Sequence, residues 1–182
     1  KDIPILPQIS KFRTMVHDIA LKLSKNVEFE LDGEEVSLNK EAYNILQDAL
    51  VHILRNCLDH GIERPGERQS LGKKPKGLIK LTCHENNESD TIELIIQDDG
   101  KGIDPERIGK KAVKKGLIEQ SELDRLSKED ILELIFLPNF SQKDGVDELS
   151  GRGIGMDIVK ENVSKLGGGI KVESEVGKGT KL

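Results

Sequence analysis

The sequence contains no tryptophan, one tyrosine and four phenylalanines in 182 residues, so aliphatic side chains must build its core. Cys57 and Cys83 are too few and too unpatterned for a disulfide scaffold or a zinc site. Cys57 sits on an apolar helix face and reads as a small core residue. No stretch approaches the length of a membrane span and no secretory pattern precedes Lys1, so a cytoplasmic protein without membrane insertion is expected. An excess of positive charge is also missing. The net charge is −5, which argues against nucleic acid as the main partner. Three familiar chemistries lack their motifs. There is no Gly-x-x-x-x-Gly-Lys-Ser/Thr loop, and Gly151-x-Gly153-x-Gly155 has the wrong last spacing for a Rossmann turn. Nor is there a nucleophile elbow with Ser/His/Asp order.

What is present is glycine in two tight clusters, and a helix to face them. The clusters are Asp98-Asp99-Gly100-Lys101-Gly102 and Gly151-Arg152-Gly153-Ile154-Gly155. The helix is expected from about Asn39 to His60. Its apolar residues Ile45, Leu46, Ala49, Leu50, Ile53, Leu54, Cys57 and Leu58 cover more than half of the cylinder, as in a deeply placed helix. Asp48, His52, Asn56, Asp59 and His60 fall on one polar stripe, because residues three and four apart stack on one face. Any one of them reads as an internal network or a solvated edge. An amide, two imidazoles and two carboxylates in line suit a cation and phosphate oxygens.

The first glycine cluster follows a strand, Ile92 to Gln97, and its glycines would let backbone close on a flat ligand. A carboxylate there, Asp98, can accept a hydrogen bond from an exocyclic amine; a plain Asp-Gly turn is the simpler reading. The second cluster opens an apolar helical pattern of Ile154, Ile158, Val159, Val163 and Leu166. Backbone N–H groups at a glycine-rich helix start form an anion site. Both clusters in this order after an Asn-bearing helix point to a nucleotide pocket.

Elsewhere the chain is legible in pieces. Residues 1–11 carry Pro4 and Pro7 without a clear period and read as a linker or the tail of a preceding element. Residues 12–182 are long enough for one domain. Phe12 to Lys25 is amphipathic, and its His17 reads as an exposed helix histidine. Val27 to Leu31 alternates and Asp32-Gly33 should turn it into a short hairpin with Glu35 and Val36. Gly61 should stop the long helix as a C′ glycine. Glu63 to Lys76 reads as a polar loop with a short helix, and Leu78 to His84 and Thr91 to Gln97 as strands. Asp104-Pro105-Glu106 and Ser127 cap two further helices. Pro138 to Ser150 has no period and reads as a mobile lid. Ile170 to Val176 is a strand, and the last strand, at Thr180, is expected to be cut short.

Asn56, the two glycine clusters and Gly177-Lys178-Gly179-Thr180 resemble the N and glycine boxes of the GHKL ATPases (gyrase, heat-shock chaperone, histidine kinase and MutL), and Phe136 to Ser141 resembles the F box that the histidine kinases have and the ATPases of the group lack. His52 to Glu63 and Ser150 to Val159 are similar to the CheA-type chemotaxis histidine kinases. The resemblance runs from roughly Phe12 to Leu182, and it implies that residues 12–182 are an ATP-binding kinase catalytic domain and residues 1–11 a linker or the end of a preceding dimerisation segment. It implies an α/β fold, a two-layer sandwich of a mixed β-sheet packed on helices with an ATP lid. It implies MgATP as the nucleotide and a phosphoryl transfer to a histidine on a separate phosphotransfer domain. His52, Asn56 and His60 would be catalytic, with Asn56 on Mg²⁺ and His52 as a candidate second ligand or base. Asp98 would take the adenine amine. Asp59, Gly100, Gly102, Ile103, Arg107 and Lys111 would line the nucleotide site, although the family expects Lys near Arg107. So would Phe140, Ser141, Ser150, Gly151, Arg152, Gly153, Ile154, Gly155, Met156 and Thr180. Partners implied by the family are a coupling protein, chemoreceptors and response regulators. The chain itself should be monomeric and a full kinase dimeric. The alternatives are a GHKL ATPase or nucleotide-gated scaffold that phosphorylates no histidine, and a degenerate domain used only in assembly.

Overall fold

The computed structural model describes residues 1–141 and 155–182. In chain order, β1 (Ile3–Pro4), α1 (Ile5–Ile9) and α2 (Phe12–Lys22) precede β2 (Val27–Gly33) and β3 (Ser37–Leu38). The long α3 (Lys40–Asn56) and α4 (Pro65–Ser70) lead to β4 (Gly77–Asn86) and β5 (Thr91–Asp98). Helices α5 (Pro105–Lys114), α6 (Gln120–Leu123), α7 (Lys128–Leu132) and α8 (Met156–Lys165) are followed by β6 (Glu173–Glu175) and β7 (Gly179–Lys181).

One mixed sheet has the order β2-β4-β5-β7-β6. Strands β2 and β4 run parallel, whereas β4–β5, β5–β7 and β7–β6 run antiparallel. Period-two patterning sets its two faces. On β4, Ile79, Leu81 and Cys83 are fully buried, and Leu78, Lys80 and Thr82 between them are half-buried. Asp98 stands opposite Ile79 and Ile96 opposite Leu81, so the Asp98 side chain shares the buried face. Against that face pack Val16 and Ala20 of α2, Leu50, Ile53 and Leu54 of α3, and Met156 and Val159 of α8. Sheet and helices form the expected two-layer α/β sandwich.

The caps behave as the sequence predicts. Asn39 Oδ1 accepts from the Ala42 N–H at 2.8 Å, Asp104 Oδ1 from Glu106 at 3.0 Å, and Ser127 Oγ from Asp130 at 3.1 Å.

Four local expectations change. Residues 1–11, expected as a linker or the end of a preceding segment, pair β1 with β3 and insert Ile5 and Ile9 fully into the core. A two-residue strand and a one-turn helix are too short to show a period. The hairpin expected after Leu31 does not form. The chain continues straight as β2 beside β4, with Gly33 opposite Cys83. A Cβ on Gly33 would lie 1.9 Å from the Cys83 carbonyl oxygen, so this glycine serves a close strand approach at φ +126°. Gly61 is not a left-handed cap. The α-helix passes at Asn56 into a π-helical turn, Cys57–Gly61, closed by Ile62 N–H on the Cys57 carbonyl at 2.8 Å. The strand expected over 170–176 narrows to β6.

Candidate functional site

The site is organised at the end of β5, where the chain leaves the sheet. Asp98 is only 4% exposed. Its Oδ1 accepts from the Gly100 N–H at 2.9 Å, and the Cys57 thiol and the Thr180 N–H also face it. Burial pushes the Asp98 carboxyl above the ordinary aspartate value, and its three donors oppose that shift. Burial and the nearby Asp98 charge likewise push the Cys57 thiol well up.

The glycines around Asp98 make room for the protein's own backbone. A Cβ on Gly100 would lie 2.1 Å from the Gly61 carbonyl oxygen. One on Gly102 would lie 2.3 Å from the Glu175 oxygen, and Gly102 holds φ +73°. Gly61 itself would press on Asp98 Oδ2 at 3.1 Å. The turn after α3, the end of β5 and the β6–β7 turn therefore interlock in a way only glycine allows. Ile103 donates its N–H to Ser174 Oγ at 2.8 Å, and the Ser174 and Thr180 hydroxyls are 2.9 Å apart, which ties β6 and β7 to the same turn.

The polar stripe of α3 is solvent-facing, not buried: Asp48, Asn56, Asp59 and His60 are exposed and His52 is half-buried. Burial first, then the Arg55 charge, lowers the His52 pKa, while Asp48 opposes this. Its imidazole is therefore neutral at pH 7. Asn56 Nδ2 donates to Met156 Sδ at 3.3 Å, which joins the end of α3 to the first turn of α8. Among the described residues no hydrogen bond engages Asn56 Oδ1. Ser141 reaches the same place, its Oγ 3.1 Å from a Cβ built on Gly155.

Asp59 and His60 line a cavity of about 280 Å³ together with Lys25, Arg64 and Lys101. Neither Asn56 nor Asp98 lines it. Arg107 is exposed on α5. Lys111 lies over the Phe140 ring, 4.5 Å from its centre. Lys115 donates to the Asn139 and Phe140 carbonyls at 3.1 and 2.9 Å, which fixes the end of the F-box-like stretch to α5. The lid and its expected site residues Ser150, Gly151, Arg152, Gly153 and Ile154 lie outside the described residues.

One cluster escaped the sequence reading. Arg68 and Glu63 are 1% and 3% exposed and paired at 2.9 Å. Lys73 joins Glu63 at 2.7 Å, and Arg68 reaches Asp99 at 3.0 Å. Burial disfavours the Glu63 charge, but Lys73 and Arg68 outweigh it and hold the carboxyl below its ordinary value. These residues sit in a polar stretch broken by Pro and Gly, and nothing in such a pattern separates a buried ion pair from a solvated loop.

The chain has clear relatives. The profile of the histidine kinase-, DNA gyrase B-, and HSP90-like ATPase family matches residues 45–182. A chemotaxis protein CheA from Borreliella burgdorferi is 43% identical over 178 residues, covering 98% of this chain and 20% of that protein. The sensor histidine kinase CheAY of Helicobacter pylori is 42% identical over 177 residues, covering 97% of this chain and 22% of that protein. The chain thus spans about a fifth of the length of these relatives. The catalytic domain of histidine kinase ThkA shares the fold with a TM-score of 0.57 and 15% identity, over 100% of this chain and 90% of that one.

Proposed function

This chain belongs to the histidine kinase-, DNA gyrase B-, and HSP90-like ATPase family, and on that premise we propose that it is the ATP-binding catalytic core of a chemotaxis histidine kinase. The observation that carries the proposal is the meeting of Asn56 with Met156, beside a turn whose only buried carboxylate is Asp98. The thiol of Cys57, next in the chain after Asn56, faces Asp98, and Met156 is the first residue of α8.

The residues fit the ligand. Asp98 is an acceptor in a site walled by backbone, suited to the exocyclic amine of adenine and repelled by the carbonyl of guanine. Asn56 offers a hard oxygen while its nitrogen is held by Met156. Among the described residues no group of three or more His, Cys, Asp or Glu could hold a metal ion. Magnesium that shares phosphate oxygens and keeps its waters does not require one. When bound, it would neutralise phosphate charge.

The chain's own residues would orient and stabilise rather than attack. The γ-phosphoryl group passes to an imidazole nitrogen of the acceptor histidine, the bond from its phosphorus to the β–γ bridging oxygen breaks, and ADP leaves. Neutral His52, one turn before Asn56, is the candidate to take the imidazole proton or to orient that ring. Arg107 and Lys111 are the candidate cations for phosphate charge and His60 a candidate hydrogen-bond donor to it, with Gly155 and the residues before it as backbone donors. The acceptor is a phosphotransfer domain of the same kinase. The coupling protein, chemoreceptors and response regulators belong to the proposal at the level of a longer kinase, in which this chain is a monomeric unit of a dimer.

Calorimetric titration with a non-hydrolysable ATP analogue, with and without Mg²⁺, tests the pocket. Mg²⁺-linked binding that favours adenine over guanine is expected, and Asn56→Ala should remove the Mg²⁺ dependence. Labelled phosphate appearing on an added phosphotransfer domain supports the kinase. ATP turnover that leaves that domain unlabelled would make the chain an ATPase instead.

A further inference from the structure

One peptide plane joins the buried ion cluster to Asp98. The peptide between Asp99 and Gly100 gives its N–H to Asp98 Oδ1 at 2.9 Å. Its carbonyl accepts from Arg68 Nη1 at 3.2 Å and from Lys73 Nζ at 3.1 Å. A peptide is rigid and planar, so whatever grips the carbonyl also aims the N–H.

The grip is itself fixed. Lys73 takes the Gly100 carbonyl at 2.9 Å as well. Arg68 Nε donates to the Lys74 carbonyl at 2.7 Å, and its other nitrogens bind Glu63 and Asp99 Oδ2 at 2.9 and 3.0 Å. Asp99 Oδ1 in turn accepts from the Leu78 N–H at 2.8 Å, anchoring the assembly to β4. Stability alone does not call for such a cluster, because apolar residues often replace a buried ion pair without loss. Both of its cations meet on the Asp99 carbonyl.

We propose that Arg68 and Lys73, aligned by Glu63, are positioning residues that act through the Asp99–Gly100 peptide to hold the Asp98 carboxylate in one orientation for its ligand. The inference rests on the reading of Asp98 as the acceptor for a nucleotide base. Two cations on the carbonyl polarise the peptide and strengthen its N–H as a donor, which favours the charged carboxylate. The other groups facing Asp98 are the Cys57 thiol from the turn after α3, the Thr180 N–H from β7, and the like charge of Asp99. Lys73→Met leaves all three in place, whereas Arg68→Lys also gives up the hydrogen bond that holds the Asp99 carboxylate.

The decisive variant is Arg68→Lys. It keeps the charge and loses the planar fork that reaches Glu63, Asp99 and Lys74 together. Lys73→Met is the companion, at a side chain 17% exposed and more tolerant of change. Two quantities are read: the pH midpoint of the Asp98 carboxyl by carbon NMR in the nucleotide-free chain, and the affinity ratio for adenine over guanine triphosphate analogues. Both variants should raise the midpoint by about half a pH unit or more. Both should cut the adenine preference about tenfold, as expected for losing a hydrogen bond to a charged group. Wild-type midpoints in both folded variants would overturn the proposal, and Lys73→Met decides alone if Arg68→Lys does not fold. A chain that binds no nucleotide would sink the kinase reading, while the Asp98 midpoint still decides the clamp.

Discussion

Asp98 carries its charge where burial opposes it, and the pH dependence of the site follows from that. Its folded pKa lies above the ordinary aspartate value of 3.8. In the window between the ordinary and the folded value the native state holds the extra proton. Asp98 therefore subtracts from stability as pH rises through that window, and the penalty disappears on acidification. In the proposed site nucleotide recognition would run the other way, because only the carboxylate can accept from the adenine amine without competing as a donor. Affinity for the ATP analogue should fall on acidification with a midpoint above 3.8, measured by titration in buffers of fixed ionic strength. A midpoint at or below that value would mean that Asp98 is not the group being read. Glu63 behaves oppositely: its depressed pKa adds stability above the ordinary glutamate value of 4.5 that is lost as pH falls through the folded value.

At the scale of elements, the fold depends on glycines that place backbone against backbone. Gly33 is the sharpest case outside the site. Gly33→Ala must push β2 off β4, since its Cβ would lie 1.9 Å from the Cys83 oxygen. A loss of about 2–3 kcal/mol is expected by denaturant titration. Gly66→Ala on α4 is the control, because a Cβ there meets nothing within 4 Å. Equal stability of the two variants would contradict the strand approach described. The same logic explains why the first glycine cluster was only half read from sequence. Glycines before a helix or after a strand look alike whether they admit a ligand or a neighbouring chain segment. Gly100 and Gly102 admit the Gly61 and Glu175 carbonyls, segments remote in sequence.

At the scale of the whole molecule, the first eleven residues belong to the same packed unit as the rest. Ile5 and Ile9 are fully buried in the common core, and Ile5 N–H donates to the Val36 carbonyl at 2.9 Å. Ile9→Ala should cost about 2–5 kcal/mol of global stability, the usual range for an emptied core site. A solvated linker would give almost no change, so a thermal or denaturant melt separates the two descriptions. Among the described residues no helix is long and apolar enough to cross a membrane. The buried pair Glu63 and Arg68, with the partly exposed Lys73 and Asp99, acts at this scale too, tying the segment after α3 to the start of β4 and the end of β5.

By itself the sequence determined the elements whose signals are local. The long period-3.6 pattern of α3, the alternation of β4 and β5, and the caps at Asn39, Asp104 and Ser127 each rest on residues a few positions apart. The order of the Asn helix and the glycine clusters determined the family, because such spacings are specific even before folding. Only the tertiary structure decided what depends on distant partners. It made β2 a parallel neighbour of β4 instead of half a hairpin, and it turned the stripe of α3 outward. It buried Arg68 and set one peptide between that guanidinium and Asp98. A residue's burial and partners are properties of the surface that packs against it, and that surface is contributed by segments far along the chain.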